Sequence, residues 1–238
     1  MIDIIVIGLV SGFLGALTGS GSLISIPALI FLGFPPQTAI ATNRLGTLGR
    51  SLGSIPLFWK AKKVDIEMVP ILIILSIIAS IIGGMALVTL STELITTVLG
   101  IILLCCAPIY AFSKRIDTKR KVSDKMKIIG YTAYFFVMIL TTMTGGLGLI
   151  VFTIFTFLFG LRIVDAIATD SVPSAILYVL SISIFAYHGL IDYVTGSILF
   201  VSMTAGGYIG ARTALMKNNQ WIKYVIATFI FLAGIKLV

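Results

Sequence analysis

Three stretches decide what this chain can become. Met68–Leu90, Leu94–Phe112 and Tyr193–Leu215 each reach the ~20 residues that cross a hydrocarbon core, and Arg212 is the single charged residue among them. Of 238 residues, 58% are hydrophobic and 11% charged, whereas a soluble domain carries about 25% charged residues. The mean hydropathy is +1.14. Such a chain cannot solvate a globular surface, so the expected fold is an all-α polytopic membrane protein with no separate soluble domain. Residues 1–17 carry only Asp3 and lack the positive start of a cleavable leader, so this segment is expected to stay in the mature protein. Cys105 and Cys106 are adjacent in an apolar run and read as small buried hydrophobes.

The net charge of +8 would suit a nucleic-acid partner only if it formed a patch, and it does not. Fourteen of the 17 Lys and Arg fall in four groups: Lys60, Lys62 and Lys63; the loop Lys114–Lys127; Arg162; and Arg212, Lys217 and Lys223. The intervening loops Gly33–Pro36, Thr89–Glu93 and His188–Asp192 hold none. This is the positive-inside pattern. It puts the four basic groups in the cytoplasm of a cell whose inner or plasma membrane is the expected location. The bilayer, not nucleic acid, is the expected partner.

The chain also repeats itself. Shifted by 127 residues, Gly19 meets Gly146, Gly21 meets Gly148, Gly33 meets Gly160, and Ala39-Ile40-Ala41-Thr42 meets Ala166-Ile167-Ala168-Thr169. Asp65 meets Asp192 and Gly83 meets Gly210. A period of this kind is a duplication. Residues 1–112 form the first membrane repeat, 113–127 a basic cytoplasmic linker, and 128–238 the second repeat. Counting crossings between basic groups gives each half a broken-helix hairpin, 2–34 or 129–160, followed by three transmembrane helices. The first half continues with 37–59, 66–88 and 93–112, the second with 163–187, 193–215 and 219–237. Three crossings are an odd number, so the two repeats are expected to be inverted relative to each other.

The hairpins break at Thr18-Gly19-Ser20-Gly21-Ser22 and at Thr144-Gly145-Gly146-Leu147-Gly148. The arms of the first are about 24 and 18 Å long at 1.5 Å per residue, shorter than the ~30 Å core. Each break is therefore expected near mid-membrane, where irregular backbone must be buried in protein or line a cavity. The helix that leaves each tip points its amide end inward, which favours an anion. Paired broken helices at matching positions of two halves point to a transporter site.

A polar motif follows each tip: Thr42-Asn43-Arg44 in one half and Thr169-Asp170-Ser171 in the other. Asn43, Thr47, Arg50 and Ser54 share one helical face, and Gly46, Gly49 and Gly53 form a neighbouring stripe suited to close packing. Arg44, Arg50 and Asp170 are the charges assigned to mid-membrane, where ionisable groups are costly and mark function. Two readings stand. Asp170 forms a structural ion pair with an arginine, or an arginine holds an oxyanion through its planar fork while Asp170 takes a coupling proton. Which arginine faces the cavity is left open, as is sodium as the coupling ion. The candidate substrate-binding residues are Thr18, Gly19, Ser20, Gly21, Ser22, Thr42, Asn43, Arg44, Arg50, Thr144, Gly145, Gly146, Gly148, Thr169, Asp170 and Ser171.

The first-half segment GFLGALTGSGSLISIPALIFLGFPPQTAIATNRL resembles the signature of the sulfite exporter TauE/SafE family: a Gly-rich turn, a proline-containing short helix, a Gly-hydrophobic-Pro step, then Ala-x-x-Thr-Asn and a basic residue. The second copy, TGGLGLIVFTIFTFLFGLRIVDAIATDS, resembles the second repeat of that family. The resemblance spans nearly the whole chain. It implies a secondary transporter of small sulfur-containing anions such as sulfite or organosulfonates, usually exported by alternating access. The chain departs from the family at Gly19-Ser-Gly-Ser22, where a run of glycines is common, and at Asp170, which stands where the first half has Asn43. A passive anion channel and a carrier of small carboxylates are the alternatives. An enzyme is not expected: His188, the single histidine, falls in an outer loop, and neither a nucleophile–base pair nor a metal cluster is visible. No cofactor is expected, no Gly-Lys-Ser/Thr phosphate loop offers ATP drive, and oligomeric state is not addressed by the sequence.

Overall fold

The computed structural model describes residues 1–98, 101 and 122–216. The expected helix 219–237, most of 93–112 and of the linker 113–127, Cys105, Cys106, Lys217 and Lys223 lie outside the described residues. Eight helices carry the argument: α1 (Ile2–Thr18), α2 (Ser22–Phe31), α3 (Pro36–Lys60), α4 (Val69–Thr89), α5 (Asp124–Thr144), α6 (Gly148–Leu158), α7 (Ile163–Tyr187) and α8 (Tyr193–Leu215). Residues 92–98 begin a further helix. Among the described residues, α4, α5, α7 and α8 are long and apolar enough to cross a membrane, which makes the chain an all-α polytopic membrane protein.

Both breaks fall where the glycines put them. Gly19 caps α1 at φ 72°, and its N–H donates to the Gly15 carbonyl at 2.7 Å. Gly145 caps α5 at φ 87°, with its N–H on the Thr141 carbonyl at 2.7 Å. Both are left-handed caps that only glycine adopts without strain. The caps are 126 residues apart, not 127, so the gapless register slips by one at the tips. It recovers at Gly33 (φ 95°) and Gly160 (φ 71°), which close α2 and α6, because α6 is one residue longer than α2. A second difference concerns length. At 21 residues α5 is about 32 Å long and matches the ~30 Å core, because it begins at Asp124 rather than 129, adding a polar first turn with Asp124 and Lys127 paired at 3.2 Å.

Packing runs between the halves. Helix α8 lies along α1 and α3, α4 lies along α5 and α7, and α3 meets α7. Several of the α8 contacts are backbone to backbone. A Cβ on Gly49 would overlap the Phe200 carbonyl, one on Gly53 the Thr204 carbonyl, and ones on Gly206 and Gly210 the carbonyls of Leu9 and Phe13. The glycine stripe of α3 is thus a packing surface, the arrangement by which membrane helices approach closely.

Two hydrogen bonds tie each half to a loop of the other. The Asp192 N–H, before α8, donates to Thr42 Oγ1 at 3.0 Å. The Asp65 N–H, before α4, donates to Thr169 Oγ1 at 3.0 Å. Thr42 and Thr169 are fully buried. At one end of the bundle, Asp165 in the first turn of α7 is paired with Arg162 (2.7 Å) and Lys63 (3.8 Å), which brings two of the basic groups together.

Gly53→Val forces a branched side chain into the Thr204 carbonyl and is expected to destabilise the purified protein by about 1–3 kcal/mol, while Leu52→Val, on an exposed neighbour, stays near wild type. Equal melting temperatures in detergent would contradict the close packing. Thr42→Val and Thr169→Val each leave a loop N–H without its acceptor, and each is expected to cost about 1–3 kcal/mol. A large loss in one variant and none in the other would show that the two bonds are not equivalent.

Candidate functional site

The two tips meet. Ser20 Oγ, from the first tip, accepts the Leu149 N–H in the first turn of α6 at 3.0 Å, so one hairpin caps the return helix of the other. The tip glycines receive side chains across the contact. Gly19 faces the Phe152 ring of α6, Gly145 faces Ile26 and Gly146 faces Leu23, both of α2. Gly148 lies against the Gly19 carbonyl so closely that a methyl group would not fit. Gly21 is seated on the Ser11 carbonyl of α1. Thr18 and Thr144 turn their hydroxyls back onto the Leu14 and Leu140 carbonyls, at 2.7 and 2.8 Å.

Asn43 joins α3 to this assembly. Its Nδ2 donates to Ser22 Oγ at 3.1 Å and its Oδ1 accepts from Ser25 Oγ at 2.6 Å. The buried amide therefore holds the first turn of α2. Ser25 was not among the expected residues, although it stands one turn past Ser22 on the same helix face.

Both arginines reach the broken ends. Arg44 is 1% exposed and its Nη2 donates to the Thr141 and Thr142 carbonyls at 2.5 and 2.6 Å. Arg50 donates from Nη1 to the Gly15 carbonyl at 2.9 Å and from Nη2 to the Tyr178 hydroxyl at 3.2 Å. Gly15 and Thr141 are the carbonyls that also accept the two tip glycines. A cation near a helix C-terminus satisfies orphan carbonyls and complements the dipole. Helix α3 therefore supplies one guanidinium to each hairpin. Nε and Nη1 of Arg44, Nε of Arg50 and Oγ1 of Thr141 are buried with no hydrogen-bond partner.

Asp170 is not paired with either arginine; among the described residues no carboxylate forms an ion pair with Arg44 or Arg50. Its Oδ1 accepts from the Tyr134 hydroxyl at 3.3 Å and its Oδ2 from Ser174 Oγ at 3.0 Å. Ser76 of α4 meets the same tyrosine hydroxyl at 2.9 Å. The motif partners of Asp170 serve their own helix or a loop: Ser171 Oγ donates to the Ala168 carbonyl at 2.6 Å, and Thr169, like Thr42, is taken by a loop N–H. The structure thus brings Ser20, Ser22, Asn43, Arg44, Arg50 and the tip glycines together, and leaves Thr42, Thr169 and Ser171 in separate contacts. Tyr134 and Tyr178 were missed because a tyrosine in an apolar run reads as one more hydrophobe; Tyr178 stands two turns past Asp170.

Comparison with known proteins agrees with this architecture. The chain is 24% identical over 234 residues to a "Probable membrane transporter protein" of Haemophilus influenzae, covering 98% of this chain and 92% of the relative. It is 23% identical over 225 residues to "Probable membrane transporter protein YfcA" of Escherichia coli K12, covering 92% and 82%. It is 24% identical over 252 residues to "Probable membrane transporter protein YjnA" of Bacillus subtilis 168, covering 100% and 99%. No solved structure is a significant match. A sequence model of the sulfite exporter TauE/SafE family matches residues 4–237, and with that span the chain belongs to this family of membrane transporters.

Proposed function

We propose that the chain is a secondary transporter, not an enzyme, that exports small sulfur-containing anions such as sulfite or organosulfonates across the inner or plasma membrane. The observation that carries this reading is the charge at the broken helices. Two guanidinium groups are held inside the bundle with, among the described residues, no carboxylate within ion-pair distance of either, and three of their nitrogens are buried without a hydrogen-bond partner. A charge buried without a paired partner is strongly destabilising, so a bundle that holds Arg44 buried and Arg50 half-buried gains from a small counter-anion. Arginine suits an oxyanion because its planar fork matches the oxygens of a sulfonate or sulfite.

In this reading the anion sits against Arg44 and Arg50 beneath the two tips, with Ser22 and Asn43 beside it. The tips are in contact in this structure, so passage requires them to part. The reciprocal helix packing and the reciprocal Thr42–Asp192 and Thr169–Asp65 bonds support two inverted repeats that rock against each other. The basic loops then face the cytoplasm. Asp170, joined to Tyr134 and Ser174 rather than to an arginine, is the candidate carrier of a coupling proton, and sodium is the competing ion.

Calorimetry and thermal melting of the purified protein with sulfite, sulfate, thiosulfate, sulfoacetate and acetate test the anion site. A preferred sulfur oxyanion at a hundredfold excess over its Kd is expected to stabilise the fold by about 2.7 kcal/mol. Arg44→Lys and Arg50→Lys keep the charge but lose the fork, and are expected to weaken binding about tenfold or more. Unchanged binding in Arg44→Ala and Arg50→Ala together would remove the arginines from the site. Tighter binding of acetate than of any sulfur oxyanion would replace the proposed cargo by a carboxylate. In proteoliposomes, Asp170→Asn is expected to abolish the dependence of transport on a proton gradient. Full dependence in that variant would take Asp170 out of the coupling.

A further inference from the structure

Tyr178, on α7, touches both arginines of α3, the buried Arg44 and the half-buried Arg50. The Arg44 guanidinium carbon lies 5.5 Å from the centroid of its ring, and its hydroxyl accepts from Arg50 Nη2 at 3.2 Å. The residue is 6% exposed, so both contacts lie inside the bundle. The two contacts differ in kind. The ring face attracts Arg44 through its quadrupole and uses none of its N–H groups. The hydroxyl takes one of the five N–H donors of Arg50.

Every other hydrogen bond of the two guanidinium groups among the described residues runs to backbone. Arg44 Nη2 spends its donors on the Thr141 and Thr142 carbonyls, and Arg50 Nη1 donates to the Gly15 carbonyl. Left over are Nε and Nη1 of Arg44 and Nε of Arg50, all buried and unpartnered. Buried donors without acceptors are rare in native structures, and each calls for an explanation. Tyr178 is the one side chain among the described residues with a polar or ring contact to both arginines. It leaves these donors unspent while holding the groups that carry them.

We propose that Tyr178 is the positioning residue of the anion site: it fixes the Arg44 and Arg50 guanidinium groups so that their unpartnered N–H donors serve one small oxyanion. The inference rests on the reading of the arginines as an anion site. It adds a residue of α7 to a site whose two guanidinium groups both come from α3. It also gives the anion a link to both hairpins, since Arg44 holds the end of α5 and Arg50 the end of α1. Each guanidinium divides its donors between a hairpin carbonyl and the anion, and Tyr178 sets that division.

Two variants separate the two contacts. Tyr178→Phe keeps the ring over Arg44 and removes the acceptor of Arg50, whereas Tyr178→Leu removes both. Sulfite and sulfoacetate binding is measured by calorimetry on the purified full chain, melting temperature is measured in parallel, and uptake into proteoliposomes is followed over substrate concentration. Tyr178→Phe is expected to fold normally, to bind about tenfold more weakly, and to raise KM while keeping the maximal rate within about twofold. Tyr178→Leu is expected to weaken binding further. Binding in Tyr178→Phe as tight as in wild type would overturn the proposal. So would a lower melting temperature with unchanged anion affinity, which would make the tyrosine a packing residue. Absence of anion binding in the wild-type protein itself would overturn the anion-site reading and this inference with it, and is told apart by the unsubstituted sample.

Discussion

A helix that stops inside a bilayer leaves its last carbonyls without partners and without water to replace them. Helices α1 and α5 end at the two tips, which are packed against each other inside the protein, and the guanidinium groups of α3 meet their ends: Arg50 at Gly15, Arg44 at Thr141 and Thr142. Much of the architecture follows from that requirement. Helix α3 carries both arginines, and its small and polar residues turn inward while Leu52 and Trp59 stay exposed. Its glycines pack on α8, Asn43 engages α2 and α7 lies beside it, and it is not among the helices apolar enough to span on composition. The buried helix with polar cargo is the one around which the hairpins are assembled.

The tips then complete each other. Ser20 supplies the acceptor that the first turn of α6 lacks, Asn43 engages the first turn of α2, and the glycines admit Phe152, Leu23 and Ile26 from the opposite hairpin. Among the described residues, none supplies an ion-paired carboxylate to either arginine. Asp170 is the nearest kind of group that could balance the arginines, and it is engaged instead by two hydroxyls. Carbonyl caps satisfy arginine N–H groups but do not neutralise the cation. Structural capping and anion binding are therefore compatible roles for the same side chains.

Much of this was legible in the sequence. The run lengths set α7 and α8 to the residue, 163–187 and 193–215, because glycine and polar or charged residues bound them: Gly160 and Arg162 before α7, His188 and Gly189 after it, Asp192 before α8 and Lys217 after it. The duplicated threonine and the duplicated aspartate stood out as matched pairs at 127 residues. They are the two ends of one kind of hydrogen bond, made twice, which spacing alone could not reveal. The slip to 126 at the tips was hidden because Gly145 and Gly146 are adjacent and either could have taken the left-handed turn. Arg44 and Arg50 were visible as buried charges, but their acceptors are main-chain carbonyls, which carry no residue identity. For the same reason an ion pair with Asp170 was a reasonable expectation that geometry did not meet. The tyrosines were lost to the hydrophobic count, although each has a polar tip that finds a partner when buried.

The long-range character of the Arg44 caps bears on how the chain is made. When α3 leaves the ribosome, the Gly15 carbonyl that receives Arg50 has already been synthesised. The Thr141 carbonyl that receives Arg44 is still 97 residues away. At about 5–20 residues per second this is an interval of roughly 5–20 s, during which one guanidinium of α3 has no native acceptor. The Thr42 hydroxyl waits longer, for a loop 150 residues downstream. The first half is thus synthesised as an unfinished part, and its most polar helix reaches its native environment only after the second hairpin has been delivered to the membrane.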